Sequence, residues 1–80
     1  MTLGKRIKLL LNFKGIEQKR LAEEIGVSQT MVCRWVKDLN RPTYDNMVLV
    51  ANFLHITFEE LVGVSPTFDE LLIHIDSRLL

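Results

Sequence analysis

The most informative stretch of the sequence is QKRLAEEIGVSQTMVCRW, residues 18–35. Apolar residues at helical spacing predict a first helix over residues 18–25, and Gly26 suits the left-handed conformation that ends many helices. Ser28 is a good N-cap for a second helix, which we predict over residues 28–37. The stretch therefore predicts two short helices that are joined by a tight turn containing glycine.

The second of these helices has two different faces when its residues are placed at 100° intervals. One arc is apolar and is expected to face the core: Met31, Val32, Trp35 and Val36. The opposite arc is polar or basic and carries no carboxylate: Gln29, Thr30, Cys33, Arg34 and Lys37. The chain contains ten acidic residues, so their absence from this arc is informative. Such a face suits a polyanion, because cations and hydrogen-bond donors attract phosphate whereas carboxylates repel it.

The residues on either side of this pair are expected to form two further helices. Helix 1 is predicted over residues 2–13 from its apolar periodicity. The loop over residues 38–42 follows the helix pair, because Pro42 disfavours helix in the residue before it. Helix 4 is then predicted over residues 44–54, with Val48 among the side chains that face inward.

Two capping boxes occur in the C-terminal third of the sequence. In each, a threonine is followed three residues later by a glutamate, Thr57 with Glu60 and Thr67 with Glu70. This pattern typically begins a helix, because the two side chains satisfy free backbone amides reciprocally. It predicts a short helix 5 that stops near Gly63 and a sixth helix that extends toward the C-terminus.

Composition indicates one small globular domain. The 80 residues are 48% hydrophobic and 25% charged, which are ordinary values for such domains. No apolar run approaches the roughly 20 residues of a membrane span, and the first residues do not resemble a signal peptide. The single cysteine, Cys33, cannot form an internal disulfide, which suits a reducing compartment. We therefore expect a cytoplasmic protein that does not associate with membranes.

Charge is divided unevenly along the chain, although ten basic residues balance ten acidic ones. Residues 1–41 contain nine Lys and Arg and four Asp and Glu, a net charge of +5. Residues 42–80 contain one basic and six acidic residues, a net charge of −5. This asymmetry favours a basic region that faces a polyanion and an acidic region that faces solvent or a partner. Chance segregation in so short a chain is the alternative.

Several short motifs occur in a consistent order between residues 3 and 63: Arg6-Ile7, Gly15-Ile16-Glu17-Gln18, Leu21 through Ser28, Arg41-Pro42-Thr43, and Leu54 through Leu61. With these motifs, the chain resembles the Cro/cI-type (XRE-like) helix-turn-helix domains of phage repressors and small bacterial regulators. The resemblance implies an all-α fold, a five-helix lambda-repressor-like DNA-binding bundle over residues 1–63, and residues 64–80 would add a C-terminal helix. It also implies binding of double-stranded DNA, usually as a homodimer on a pseudo-palindromic operator.

The resemblance also assigns roles to individual residues. The base-reading positions correspond to Gln29, Thr30 and Arg34. The phosphate-contacting positions correspond to Gln18, Lys37, Asn40 and Arg41. The chain departs from the family pattern at a few sites: Leu11 and Val36 replace a frequent Arg–Glu pair, Asp38 replaces a frequent glycine, and Glu17 replaces a usual Thr or Ser.

An apolar stripe in the predicted sixth helix indicates a second surface. Its members lie within about 100° of one another: Phe68, Leu71, Leu72, Ile75 and Leu79. Together with Leu49 and Phe53, which are predicted to lie off the core face of helix 4, they are interpreted as a homodimer interface. The alternative is that the sixth helix folds back onto helix 4 of its own chain.

The function that follows is sequence-specific DNA binding in transcriptional regulation, with repression as the expected effect. The second hypothesis is a protein-interaction module, antitoxin-like or adaptor, that uses the apolar C-terminal helix. No phosphate-binding loop, nucleophile motif or His/Cys ligand cluster is evident, so we expect no enzyme activity, no cofactor and no metal site.

Overall fold

The computed structural model describes residues 1–63, and the predictions for residues 64–80 lie outside this range. The described residues form five helices and no strand: α1 Leu3–Lys14, α2 Gln18–Ile25, α3 Gln29–Val36, α4 Tyr44–Phe53 and α5 Phe58–Val62. The predicted all-α fold with a five-helix bundle is thus confirmed, and the five helices predicted within residues 1–63 agree with the observed ones to within a residue or two. None of the described helices is long and apolar enough to cross a membrane.

Side-chain caps begin four of the five helices. The hydroxyl of each N-cap residue accepts a hydrogen bond from the backbone amide three residues later: Thr2, Ser28, Thr43 and Thr57. The capping box of α5 is complete, because the Glu60 side chain also accepts from the Thr57 amide. Gly15 and Gly26 end α1 and α2 in the left-handed conformation. Local sequence signals therefore fix where these helices begin and end.

One apolar core holds the bundle together. Its buried members come from all five helices and the turn after α4: Ile7, Leu11, Leu21, Ala22, Val32, Trp35, Met47, Val50, Ala51, Leu54 and Leu61. Trp35, the largest of them, shows that the inner face of α3 points into this core. Leu11 is buried and Val36 packs against the same cluster, so apolar packing occupies the positions of the family's frequent ion pair.

The packing of the helices leaves one face of α3 uncovered. α3 packs against α1 and α2, α4 packs against α2 and α5, and α5 also packs against α1. At the contact between α1 and α3, a Cβ on Gly4 would collide with the Trp35 carbonyl oxygen and would lie 2.7 Å from that of Val36. Glycine therefore permits this close approach of the two helices.

The end of α5 is fastened to α1 by one arginine. The Nε of Arg6 donates to the carbonyl oxygen of Leu61 at 3.1 Å, and its Nη2 donates to that of Glu60. Cationic donors are favourable at a helix C-terminus, where carbonyl groups lack partners. Arg6 thus holds the C-terminal end of α5 against α1.

Three expectations about side-chain burial were wrong. Met31, expected in the core, is 38% exposed on the outer side of α3, and Val48, expected inward, is only half-buried. Phe53, expected to lie off the core face, is half-buried and packs against the core cluster. The common reason is that these side chains lie at the margins of the buried faces of their helices, where the angular position alone does not decide whether a neighbouring helix covers them.

Candidate nucleic-acid interface

The outer face of α3 is an exposed groove without acidic side chains. Its lining contains the three predicted base readers and a predicted phosphate contact: Gln29, Thr30, Cys33, Arg34, Lys37 and Leu39. Because Ser28 caps α3 and Trp35 anchors its inner face, Gln29, Thr30, Cys33 and Arg34 are held on a regular helix, and Lys37 and Leu39 follow its last residue. The structure therefore brings Gln29, Thr30, Arg34 and Lys37 together, as the sequence predicted.

A second depression lies between the C-terminal half of α1 and the start of α2, and it reaches the first residue of α3. Gln18, the predicted phosphate contact on α2, shares it with Gln29 of α3, and Lys8 and Lys19 contribute positive charge. Glu17 also lines it and is the N-cap residue of α2, although its side chain makes no capping hydrogen bond. Gln29 belongs to both depressions, so the two are adjacent at the start of α3.

The loop after α3 contacts the outer face of the helix through Asn40. The Nη2 of Arg34 donates to the Oδ1 of Asn40 at 3.2 Å. The Nδ2 of Asn40 lies 4.0 Å from the sulfur of Met31, within reach of a weak hydrogen bond. Arg41, the last predicted phosphate contact, is exposed in the same loop. Asn40 thus lies beside Arg34, whereas sequence reasoning assigned the two residues separate roles.

Asp38 points its carboxylate toward α1. Its φ of 59° lies in the left-handed region, which Asp tolerates better than most residues. Its Oδ2 accepts from the Thr2 hydroxyl at 2.5 Å, and its Oδ1 accepts from the Gly4 amide at 2.9 Å. These hydrogen bonds, the Thr2 hydroxyl foremost, hold the pKa of Asp38 below its ordinary value, with the charge of Lys5 acting in the same direction. The carboxylate is therefore engaged at the start of α1.

Some residues of this surface were missed by the sequence predictions. Leu39 lines the groove as an exposed loop residue, and Lys8 and Lys19 border the second depression. The basic residues were included in the charge count of residues 1–41, but no local motif distinguished them. The sequence did not indicate that Leu39 lies at this surface, because an apolar residue between Asp38 and Asn40 could equally have pointed inward.

The residues of the predicted dimer interface are described only in part. Leu49 is 44% exposed on α4, and Phe53 is half-buried. The other five, Phe68, Leu71, Leu72, Ile75 and Leu79, lie outside the described residues. Within residues 1–63, no three His, Cys, Asp or Glu side chains converge into a group that could hold a metal ion.

A family model described as Helix-turn-helix matches residues 7–61, well over half of the chain. The chain belongs to this helix-turn-helix family. The match runs from Ile7 within α1 through most of α5, and therefore includes both depressions described above. The predicted resemblance to Cro/cI-type (XRE-like) domains is confirmed.

Two curated relatives belong to the same class of regulators. The chain is 26% identical over 63 residues to the HTH-type transcriptional activator BcrR of Enterococcus faecalis, covering 79% of this chain and 31% of that protein. It is 27% identical over 63 residues to the HTH-type transcriptional regulator ImmR of Bacillus subtilis (strain 168), covering 79% of this chain and 50% of that protein. The chain thus matches only 31% and 50% of the lengths of these two relatives.

Two solved structures share the fold. The P22 c2 repressor, crystallised with the synthetic operator 9T in the presence of Tl⁺, superposes with a TM-score of 0.73 at 22% identity, covering 78% of this chain and 94% of that one. SinR, described as a master regulator for biofilm formation and crystallised with DNA, gives a TM-score of 0.70 at 26% identity. The superposition covers 75% of this chain and 97% of that one. Residues 1–63 therefore have the fold of repressor helix-turn-helix domains.

Proposed function

We propose that this helix-turn-helix protein is a sequence-specific, double-stranded DNA-binding transcriptional regulator that inserts α3 into the major groove. The observation that carries the proposal is the exposed outer face of α3, which presents Gln29, Thr30, Arg34 and Lys37 without any carboxylate. The major groove admits one α-helix and presents a distinct pattern of donors and acceptors for each base pair. We name α3 the recognition helix on this basis.

The proposed contacts divide into base readers and phosphate contacts. Gln29 can bind adenine through its amide, Arg34 can bind guanine through two N–H donors, and Thr30 can hydrogen-bond or contact a thymine methyl. Gln18 and Lys37 border the base-reading residues and are suited to phosphate oxygens, as is Arg41 in the following loop. Phosphate contacts of this kind fix the register of the helix on the duplex, and the base readers select the sequence.

Two relatives and two structural neighbours support the regulatory role. Both curated relatives are named transcriptional regulators, one of them an activator, and both solved neighbours were crystallised with DNA. We propose repression for this chain, because a small domain bound across a promoter excludes polymerase without any additional activating surface. An increase in transcription from a promoter that carries the bound site would contradict this part of the proposal.

We further propose that the protein binds as a homodimer. Two recognition helices about 34 Å apart would match successive major grooves on one side of a pseudo-palindromic operator. The proposed interface combines Leu49, Phe53 and the apolar stripe Phe68, Leu71, Leu72, Ile75 and Leu79.

The test of DNA recognition is selection of bound duplexes from a random pool by three proteins, the wild type, Arg34→Ala and Lys37→Ala. We expect the wild type to select a half-site, and Arg34→Ala to lose preference at one position of it. Lys37→Ala should weaken binding to all sequences alike, because phosphate carries no sequence information. Equal losses on selected and random DNA for both variants would contradict this division of roles.

The test of the dimer is the solution mass by light scattering. The wild type should have twice the chain mass of 9.3 kDa. Leu72→Asp places a charge within the apolar stripe and should yield the monomer, whereas the control Ile73→Asp, off the stripe, should remain dimeric. A dimeric Leu72→Asp would refute the interface, and a monomeric wild type that binds no duplex would favour the protein-interaction alternative.

A further inference from the structure

We infer that Asn40 determines DNA specificity indirectly, as a positioning residue that holds the Arg34 guanidinium over the groove of the recognition helix. This inference rests on the proposed function, because it assumes that Arg34 reads a base. It differs from the phosphate-contacting role that the family resemblance implies for Asn40. Four contacts between the loop and the helix carry it.

Two of these contacts join side chains. The Oδ1 of Asn40 accepts from the Nη2 of Arg34 at 3.2 Å, and its Nδ2 lies 4.0 Å from the sulfur of Met31. Met31 and Arg34 are three residues apart, so they lie on the same side of the helix one turn from each other. The side-chain amide of Asn40 lies between Met31 and Arg34. Because its Nδ2 faces the Met31 sulfur, its Oδ1 faces the arginine.

The other two contacts join backbone atoms. The carbonyl oxygen of Arg34 accepts from the amide of Leu39 at 2.9 Å and from that of Asn40 at 3.4 Å. The loop therefore turns back onto the residue whose side chain it contacts. This backbone attachment keeps the Cα of Asn40 at a fixed position relative to Arg34, so the side-chain hydrogen bond does not depend on a freely moving loop.

Positioning matters for Arg34 because its side chain is long and exposed. An arginine that samples many rotamers loses that freedom when it binds a base, and holding it beforehand reduces the cost of binding. The guanidinium has five N–H donors, so the single hydrogen bond to Asn40 leaves four for guanine O6, guanine N7 or water. Asn40 can therefore restrain the group without occupying the donors that reading a guanine requires.

The exposed thioether of Met31 gives this cluster an apolar boundary. Met31 is 38% exposed and Leu39 is 59% exposed, and both lie beside polar residues of the recognition surface. Leu39 offers the guanidinium no hydrogen bond, and the Met31 sulfur, a weak acceptor, faces the Nδ2 of Asn40. The Asn40 oxygen is therefore the acceptor that the described contacts provide for Arg34.

Two substitutions of Asn40 separate positioning from phosphate contact. Asn40→Leu has a similar size but no acceptor, so it releases Arg34. Asn40→Asp retains an acceptor for Arg34 but adds a negative charge that phosphate repels. If Asn40 positions Arg34, Asn40→Leu loses base preference and Asn40→Asp retains it with weaker overall binding. If Asn40 only contacts phosphate, both variants weaken binding while preference is unchanged.

The experiment measures dissociation constants for the duplex that the wild type selects and for the same duplex changed at the base pair where Arg34→Ala loses preference. Base preference is the dissociation constant for the changed duplex divided by that for the selected duplex. We expect Asn40→Leu to lower this ratio about threefold to tenfold, the effect of one net hydrogen bond. Asn40→Asp should keep this ratio within about twofold of wild type. Asn40→Leu combined with Arg34→Ala should lose no more preference than Arg34→Ala alone.

The controls distinguish the possible failures. Asn52→Leu, an exposed change on α4, should leave the ratio of the two constants unchanged, and thermal unfolding should establish that each variant is folded. Should Asn40→Leu be unfolded, Asn40→Ala takes its place. An unchanged ratio in a folded variant without the acceptor overturns the inference but leaves the proposed function intact. A wild type without preference for any duplex overturns both.

Discussion

At the scale of single residues, Asp38 connects two helices that are distant in sequence. It follows the recognition helix in a left-handed conformation, and its carboxylate accepts hydrogen bonds from Thr2 and from the Gly4 amide at the start of α1. A glycine, which the family often has at this position, would satisfy the backbone but provide no acceptor. The aspartate thus caps the start of α1 from a position more than 30 residues away in the sequence.

This contact predicts a pH dependence of stability. Hydrogen bonding to Thr2 and Gly4 lowers the pKa of Asp38 below its ordinary value of 3.8. The contribution is therefore complete above about pH 5 and is lost as the pH falls through the pKa of the folded state. An asparagine side chain tolerates the same backbone conformation but carries no charge, so Asp38→Asn should be less stable than wild type at neutral pH. The stability of this variant should also fall less than that of the wild type on acidification from about pH 5 to about pH 2.

Urea unfolding at a series of pH values checks this prediction. Asp45→Asn, an exposed change on α4, is the matched control and should keep the steepness of the wild-type profile. Parallel profiles for the wild type and Asp38→Asn would mean that the carboxylate contributes nothing to stability in its ionised form.

The residues of the candidate site differed in how well the sequence predicted them. Exposure of Gln29, Thr30 and Arg34 could be predicted, because they lie opposite Val32 and Trp35 on a helix whose inner face had to be buried. Met31 was assigned to the core because it lies at the margin of that arc. It is 38% exposed, and the Asn40 side chain is its neighbour. A contact between a helix and the loop after it leaves no periodic signal.

At the scale of elements, the recognition helix depends on its cap because it contains only eight residues. Isolated helices of this length are unstable in water, so capping and packing must hold it. The hydroxyl of Ser28 accepts from the Met31 amide at 3.1 Å, and it lies next to Gln29 at the proposed DNA surface. The same position thus affects both folding and binding.

Substitution of Ser28 should separate these two effects. Ser28→Ala should lower the free energy of unfolding by about 1 kcal/mol through loss of the cap. Ser28→Asp should preserve stability, since aspartate is an equally good cap, but should weaken DNA binding through repulsion of phosphate. Thr43→Ala, which removes the corresponding cap of α4, should reduce stability without changing the affinity of folded protein for DNA. Chemical unfolding and DNA titration measure the two properties.

If Ser28→Asp bound the selected duplex as tightly as wild type, the start of α3 would not approach phosphate in the complex. Such a result would contradict the proposed docking of this helix end.

The contact of α1 with α3 gives a second prediction at this scale. Gly4→Ala should destabilise the protein by about 1–3 kcal/mol, although alanine is the better helix former, because the new Cβ meets backbone oxygens of residues 35 and 36. Asn12→Ala, an exposed change on the same helix, should alter the free energy of unfolding by less than about 0.5 kcal/mol. Equal or greater stability of Gly4→Ala in urea unfolding would show that the helices can separate at no cost.

Helix boundaries were predictable because their causes are local. Caps such as Ser28 and Thr57, and left-handed ends such as Gly26, act within four residues of sequence. The close approach at Gly4 was not predictable, because it depends on which helix lies against α1. Sequence patterns thus located the elements, whereas the contacts between them required the tertiary structure.

At the scale of the whole molecule, charge is separated although the net charge is zero. Basic side chains border both depressions of the recognition surface, namely Lys8, Lys19, Arg34 and Lys37. The acidic residues of the described C-terminal part, Asp45, Glu59 and Glu60, belong to α4 and α5. A neutral protein can therefore bind a polyanion, because only the local potential at the contact surface governs the interaction.

This arrangement predicts a steep dependence of DNA affinity on salt. Each phosphate contact releases condensed counterions, so the logarithm of the association constant should fall linearly with the logarithm of salt concentration. Lys37→Ala should reduce that slope by about 0.9 per protomer. Lys14→Ala, which removes an exposed charge on α1, should leave it unchanged. Titrations at several salt concentrations provide the slopes, and a flat wild-type response would exclude phosphate contact.

The attachment of Thr2 and Gly4 to Asp38 also has a practical consequence for experiments on this protein. The amino terminus lies beside the C-terminal end of α3, so a purification tag joined to Met1 would extend from the edge of the proposed DNA-binding surface. A polyhistidine sequence there would add its own affinity for nucleic acid or obstruct a duplex. Binding measurements should therefore use protein from which any such tag has been removed by a protease.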